Sequence, residues 1–308
     1  MFWKDVGGLN IQTKMKKEAK MPTKHVEGSQ LIEGLLAGMA IVKKYQEVPM
    51  YIRITLKPAD GTLVTLVDKE SGEEMYSILR TSFRDGFTFS LEDTETSRSD
   101  ARYVVLGDPL DGTGAYVNGL STSTVIIGVY DRGEKRLVAC AIGEPATGRI
   151  WYTEDGNTFR FPKSVCRVWT PTDDTKGKPT VLLDVSHGFV RSGRQMLTDE
   201  QMGKLFQLLN PHVKLLLPGS NGLNHALVAN GGELMAGAIT TAIGGPWDIC
   251  GVLLVLNAGG YAKAFRIGDN RTPVEVDPLD VLAADLLISG NTQETVDFLA
   301  QQLTACFA

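Results

Sequence analysis

Apolar residues recur at helical spacing early in this chain and in short alternating or continuous runs later, and that change of rhythm organises it. Leu31, Leu35, Met39, Ile41 and Val42 fall near helical spacing in a stretch rich in Lys, Glu, Gln and Ala, so residues 13–47 predict one or two amphipathic helices. Residues 71–82 predict another, with Met75, Ile78 and Leu79 on one face. Short β-rich runs follow at residues 103–106, 123–130, 136–142 and 149–152. Turns at Asp131-Arg132-Gly133 and Pro145-Ala146-Thr147-Gly148 separate the last three, which predicts an antiparallel sheet. Residues 171–179, opened and closed by proline, read as a linker. Beyond it strand and helix alternate: strands at 181–185 and 232–239, helices at 198–209, 222–229 and 293–303. Residues 249–258 are almost wholly apolar and predict a helix buried on all sides, ended by Gly259-Gly260. The class is therefore α/β (α+β), with an N-terminal part over residues 1–170 and a C-terminal α/β part over 180–308.

Composition narrows the partners. The 308 residues are 43% hydrophobic with a net charge of −5, so no basic surface for a nucleic acid polymer is implied. An anionic substrate remains compatible if a metal screens it. Cys140, Cys166, Cys250 and Cys306 form no CxxC pair and read as reduced thiols of a cytoplasmic protein. The first residues lack a signal-peptide layout, and no apolar run is long enough to span a membrane. Four histidines, none at a zinc-like spacing, argue against a zinc hydrolase.

The candidate chemistry begins at Asp108-Pro109-Leu110-Asp111-Gly112-Thr113. Two carboxylates flank a proline and can converge with the Leu110 carbonyl on a hard divalent cation such as Mg²⁺. The proline predicts a turn after the strand at 103–106, and Gly112 lets backbone approach a phosphate. An ordinary Asp-Pro turn would explain the hexamer equally well. Further acids stand at the ends of apolar elements. Asp68 follows Val64-Thr65-Leu66-Val67, Glu92 and Asp93 follow the run at 86–91, and Asp248 follows Trp247 and opens the buried helix. Asp68 and Asp248 would each also serve as simple helix caps, and Glu92 as part of a solvated loop.

Taken in order, these residues resemble the inositol monophosphatase superfamily of Mg²⁺-dependent, lithium-sensitive phosphomonoesterases. Asp108 to Thr113, then Trp247-Asp248, a helix and Gly259-Gly260 carry the likeness. Lys57-Pro58-Ala59-Asp60-Gly61-Thr62 through Asp68, Pro218-Gly219-Ser220 through Gly232, and Ile288-Ser289-Gly290-Asn291 extend it from about residue 31 to the C-terminus. The resemblance implies a layered α-β-α-β-α sandwich, two or three Mg²⁺ ions per site, a small phosphorylated metabolite as substrate and a homodimer. Asp108, Asp111 and Asp248 would share one metal, and Glu92, Asp108 and the Leu110 carbonyl a second. Asp68 and Glu92 would hold or tune a third. Thr113, paired with Asp68, would orient the attacking water. Gly112 and Thr113 would cradle phosphate, and Gly219 and Ser220 would meet substrate.

This chain departs from the family pattern in three places. The Gly-Glu-Glu metal segment has its literal match at Gly72-Glu73-Glu74, inside a predicted helix, so Leu91-Glu92-Asp93 is the better match by position. Asp277-Pro278-Leu279-Asp280 repeats part of the signature but lacks Gly-Thr after it and reads as a helix start. No acid lies between Ala238 and Pro246, where inositol monophosphatases carry one for substrate hydroxyls. An inositol phosphate is the favoured substrate. The alternatives are 3′-phosphoadenosine 5′-phosphate, for a bisphosphate nucleotidase; fructose 1,6-bisphosphate; and a non-catalytic relative that binds metal or metabolite.

Overall fold

Two glycines set how the first helices meet. In this computed structural model α1 (Ile32–Gln46) buries Leu35, Met39 and Val42, and packs on α2 (Leu66–Ser82). A Cβ on Gly34 would lie 2.7 Å from Leu79, and one on Gly38 would lie 2.7 Å from Met75 and 2.9 Å from Ser71. The bare faces therefore allow an approach that alanine would block. The structure describes residues 26–47, 54–56, 63–83, 86–92, 101–171, 177–184, 189–190, 194–232, 234–241 and 243–308. The helix expected over 13–25 lies outside them.

The strands β1 (Ile54–Leu56) and β2 (Leu63–Thr65) form a hairpin that feeds α2. This helix starts five residues earlier than its apolar spacing predicts, because Thr65 caps it. The Thr65 hydroxyl accepts from the Val67 N–H at 3.1 Å and donates to Asp68 at 2.6 Å, while Asp68 also accepts the Thr65 N–H at 2.7 Å.

A seven-stranded sheet follows in chain order: β3 (Phe87–Leu91), β4 (Tyr103–Asp111), β5 (Thr124–Asp131), β6 (Arg136–Glu144), β7 (Arg149–Glu154), β8 (Asn157–Arg160) and β9 (Ser164–Val165). It is antiparallel except for the parallel pair β3 and β4. The expected turn after residue 106 is absent. β4 runs on through Asp111 and is buried along its whole length. Asp108 pairs with Ile126 and Asp111 with Thr124, so the strand carries one extra residue there. Pro109, which has no N–H to place in a ladder, sits in that irregularity. Only then does the short helix α3 (Thr113–Val117) begin.

The second half builds β10 (Thr180–Asp184), the small hairpin β11 (Phe189–Val190) and β12 (Arg194–Gln195), α4 (Asp199–Leu209), β13 (Lys214–Leu216), α5 (Asn221–Ala229) and β14 (Met235–Thr240). Then come α6 (Val252–Asn257), β15 (Tyr261–Ile267), β16 (Pro273–Val276), β17 (Leu286–Gly290) and α7 (Gln293–Ala305). The six-stranded sheet has the order β13-β10-β14-β17-β15-β16, with β10 parallel to β13 and β14. The helix expected over 249–258 is split into a 3₁₀ turn, Pro246–Ile249, and α6. Residues 277–280 form turns with no helix after them; Asp280 accepts the Tyr130 hydroxyl at 2.7 Å.

Alternation along the strands sorts the core into three seams. Val105, Val125, Ile127 and Ala141 face α1 and α2. Leu106, Ile126, Cys140 and Ile142 face α5 and α6, which meet Leu182, Ala238 and Leu287 of the second sheet on their other side. Val181, Leu183, Ile239 and Ile288 face α4 and α7. The layers therefore stack α-β-α-β-α. Among the described residues no helix is long and apolar enough to cross a membrane.

Candidate active site

Three buried carboxylates converge where the irregular end of β4 meets the 3₁₀ turn ahead of α6. Asp108, Asp111 and Asp248 each place an oxygen within 4.8 Å of the others. They are 3%, 4% and 7% exposed. Like charges at that separation, cut off from water, disfavour ionisation. Burial first, then Glu92, Asp111 and Asp248, push the Asp108 carboxyl well above its ordinary value. Burial, Glu92 and Asp111 do the same to Asp248. An oxygen-only donor set carrying this much uncompensated charge fits a hard divalent cation.

The protein holds the three acids unequally. Asp111 is gripped by α5: it accepts from the Ser220 hydroxyl at 2.5 Å, the Thr124 hydroxyl at 2.8 Å and the N–H groups of Gly222 at 2.8 Å and Asn221 at 3.2 Å. Burial still raises its carboxyl, but these bonds oppose the rise. Asp248 accepts the N–H groups of Gly244 at 2.5 Å and Gly245 at 3.1 Å. Asp108 takes the Leu110 N–H at 2.9 Å.

Glu92 follows β3 directly, half-buried, its N–H bonded to the Gly107 carbonyl at 2.9 Å. Parallel pairing of β3 with β4 brings it beside Asp108 and Asp248, whose carboxyls its charge helps to raise. The literal Glu73 and Glu74 are exposed on α2. Asp93 lies outside the described residues.

Asp68 and Thr113 meet across the site, hydroxyl to carboxylate at 3.0 Å, although 45 residues apart. The same hydroxyl is 2.9 Å from the Leu110 carbonyl. Its single proton goes to one of these, and its lone pairs stay available to a water. Gly112, at φ +84°, opens α3, and a Cβ there would strike the Gly219 carbonyl at 2.6 Å. Gly219, itself at φ +80°, is thus the surface against which Gly112 packs. Ser220 is 1% exposed and caps α5, and its hydroxyl is committed to Asp111. That gives it a positioning place, in contrast to the substrate contact that its sequence neighbourhood implies.

Thr65, Thr124, Asn221, Gly244 and Gly245 were not singled out by the sequence, yet each holds a site carboxylate. Thr65 was readable as a capping residue three positions before Asp68. The Gly244-Gly245-Pro246 run before Trp-Asp was a further signal of close backbone approach. His225, buried between Ser289 at 3.0 Å and Thr240 at 3.2 Å, is driven by burial to a pKa of about 4 and stays neutral in the core. His187 lies outside the described residues.

Known proteins share this architecture. The Escherichia coli K12 protein named Nus factor SuhB is 29% identical over 76% of this chain and 83% of its own length. The inositol-1-monophosphatase of Mesorhizobium japonicum is 28% identical over 74% of this chain and 80% of its own. The crystal structure of the extragenic suppressor protein suhB from Bartonella henselae superposes with a TM-score of 0.71 at 22% identity, covering 89% of this chain and 97% of that one. The sequence profile of the inositol monophosphatase family matches residues 29–305, and the chain belongs to that metal-dependent phosphatase family.

Proposed function

We propose that this protein is a Mg²⁺-dependent phosphatase that hydrolyses the phosphate monoester of a small polyhydroxylated metabolite, an inositol phosphate first. The convergence of Asp108, Asp111 and Asp248 carries this reading. Asp108, Asp111 and Asp248 would hold one cation, and Glu92, Asp108 and the Leu110 carbonyl a second. Asp68 and Glu92 would tune a third. When bound, Mg²⁺ supplies charge neutralisation for the phosphoryl oxygens and the departing alkoxide, and acidifies water.

The chain's own residues do the rest. Asp68, fixed by Thr65, accepts the Thr113 proton and so turns the Thr113 oxygen outward as an acceptor. A water donating to that oxygen has one lone pair aimed at phosphorus. The backbone of Gly112 and Thr113, at the start of α3, offers N–H groups to the phosphate. Ser220 and Thr124 keep the Asp111 carboxylate in one orientation. No protein nucleophile is required.

Relatives include proteins named for other substrates, a histidinol-phosphatase among them, so family membership alone leaves the alcohol open. The test is phosphate release from inositol 1-phosphate, inositol 1,4-bisphosphate, 3′-phosphoadenosine 5′-phosphate and fructose 1,6-bisphosphate, with and without Mg²⁺ and Li⁺. The expected result is Mg²⁺-dependent, lithium-inhibited release, fastest from an inositol phosphate. Metal binding with no release from any of them would replace this reading with a binding role.

A further inference from the structure

Ser71 stands three residues after Asp68 on α2 and is fully buried. A hydroxyl in the middle of a helix commonly turns to solvent or folds back on the carbonyl one turn earlier. Ser71 does neither. Its hydroxyl donates to the Pro109 carbonyl of β4 at 2.9 Å. The Met75 sulfur, at 3.8 Å, is a much weaker acceptor for the same proton. Gly38 of α1 leaves the space in which this hydroxyl sits, since a Cβ there would lie 2.9 Å from it. Residues three apart share a helix face. One face of α2 therefore grips the carboxylate-bearing segment at two points, Asp68 on Thr113 and Ser71 on Pro109.

The second grip reaches Asp108 through the backbone. The Pro109 carbonyl belongs to the same peptide group as the Leu110 N–H, and that N–H donates to the Asp108 carboxylate at 2.9 Å. A peptide group is a rigid plane. Holding its oxygen from α2 fixes where its N–H points, and so how the Asp108 carboxylate is turned. Among the described residues this is the one hydrogen bond that the Asp108 carboxylate accepts, whereas Asp111 accepts from Ser220, Thr124, Asn221 and Gly222. The exposed repeat Asp277-Pro278-Leu279 makes the same local bond, Leu279 N–H to Asp277 at 2.9 Å. No hydroxyl reaches its Pro278 carbonyl among the described residues. The motif closes the turn by itself, and the α2 hydroxyl is what the buried copy adds.

Resting on the phosphatase reading, we propose that Ser71 is a positioning residue of the metal site, and that through the peptide between Pro109 and Leu110 it orients the Asp108 carboxylate toward the cations. The test compares wild type, Ser71→Ala and Ser71→Cys by Mg²⁺ titration of the melting temperature, with phosphate release from inositol 1-phosphate at limiting Mg²⁺ alongside. Cysteine keeps nearly the volume of serine but is a weak donor. The expected result is that both variants raise the Mg²⁺ midpoint for thermal protection by about tenfold or more, with activity at limiting Mg²⁺ falling in parallel. A lower metal-free melting temperature with an unmoved midpoint would make the bond structural only and overturn the assignment. Ser71→Cys matching wild type while Ser71→Ala does not would overturn it too, because volume and not the hydrogen bond would then matter. If Ser71→Ala fails to fold, the Ser71→Cys midpoint decides. Wild type that is protected by Mg²⁺ but releases no phosphate would remove the phosphatase reading beneath, and the midpoints would still decide the role of Ser71.

Discussion

Asp111 and Asp108 belong to one cluster, three residues apart on one strand, yet the protein treats them differently. Asp111 is met by two hydroxyls and the first N–H groups of α5. Asp108 is surrounded by Glu92, Asp111 and Asp248, with the Leu110 N–H as its hydrogen bond. The helix compensates one charge in advance and leaves the other for a cation. Such a site is preorganised on one side and repulsive on the other. Metal affinity, metal-free instability and catalysis are then three readings of the same imbalance.

The largest effect is expected at Asp108. Asp108→Asn should lower activity by about 10³-fold or more, the equivalent of several kcal/mol of lost charge stabilisation. It should also raise the melting temperature of the metal-free protein, because it removes one of the repelling charges. Phosphate release and a metal-free melt measure both. Thr113→Ala comes next: kcat should fall about 10²- to 10⁴-fold while the Mg²⁺ midpoint for thermal protection stays put, since the hydroxyl acts on water. A shifted midpoint would mean that Thr113 serves the metal.

Ser220→Ala tests the preorganised side. It deletes the 2.5 Å bond to Asp111 and the α5 cap, and should cost about 10- to 100-fold in metal affinity or activity. If the Ser220 hydroxyl did not compensate Asp111 in advance, Ser220→Ala would leave the metal-free melt unchanged. The comparison predicts a gain for Asp108→Asn and a loss for Ser220→Ala, readable in the same melts.

The smallest effect lies at His225, buried between Ser289 and Thr240. Its folded pKa of about 4 lies below the ordinary value of 6.5, so between those values the unfolded chain binds a proton that the folded one refuses. Stability from this residue is therefore present above pH 6.5 and is lost as the pH falls toward 4. The full span is at most about 3 kcal/mol. Denaturant melts of wild type and His225→Gln across that range should show the acid-side slope reduced in the variant, and identical slopes would assign it to other groups.

The sequence made some of this legible and hid the rest for physical reasons. Helical spacing located α1, α4 and α7 because each buries one stripe against a sheet, whereas α5 is buried on both sides between the two sheets. It mislocated the start of α2 because capping by Thr65 and Asp68, and no apolar residue, sets that end. Pro109 suggested a turn after residue 106, whereas an irregular register lets β4 continue and carry both acids on one buried strand. β15 and β16 escaped notice, since edge-side strands with mixed exposure show neither a continuous apolar run nor clean alternation. Asp108, Asp111 and Asp248 were legible as acids at the ends of apolar elements. The residues that hold them were not, because Thr124 and Ser220 reach Asp111 only after two sheets and α5 have packed.

The most direct test of the account is a Mg²⁺ titration of melting temperature, wild type beside Asp108→Asn. Binding to the folded form alone stabilises by about 2.7 kcal/mol at a hundredfold excess over Kd. Wild type should start lower and climb with Mg²⁺, while Asp108→Asn should start higher and stay flat. A variant that climbs as wild type does, or that starts lower, would contradict the claim that this cluster is built around a cation.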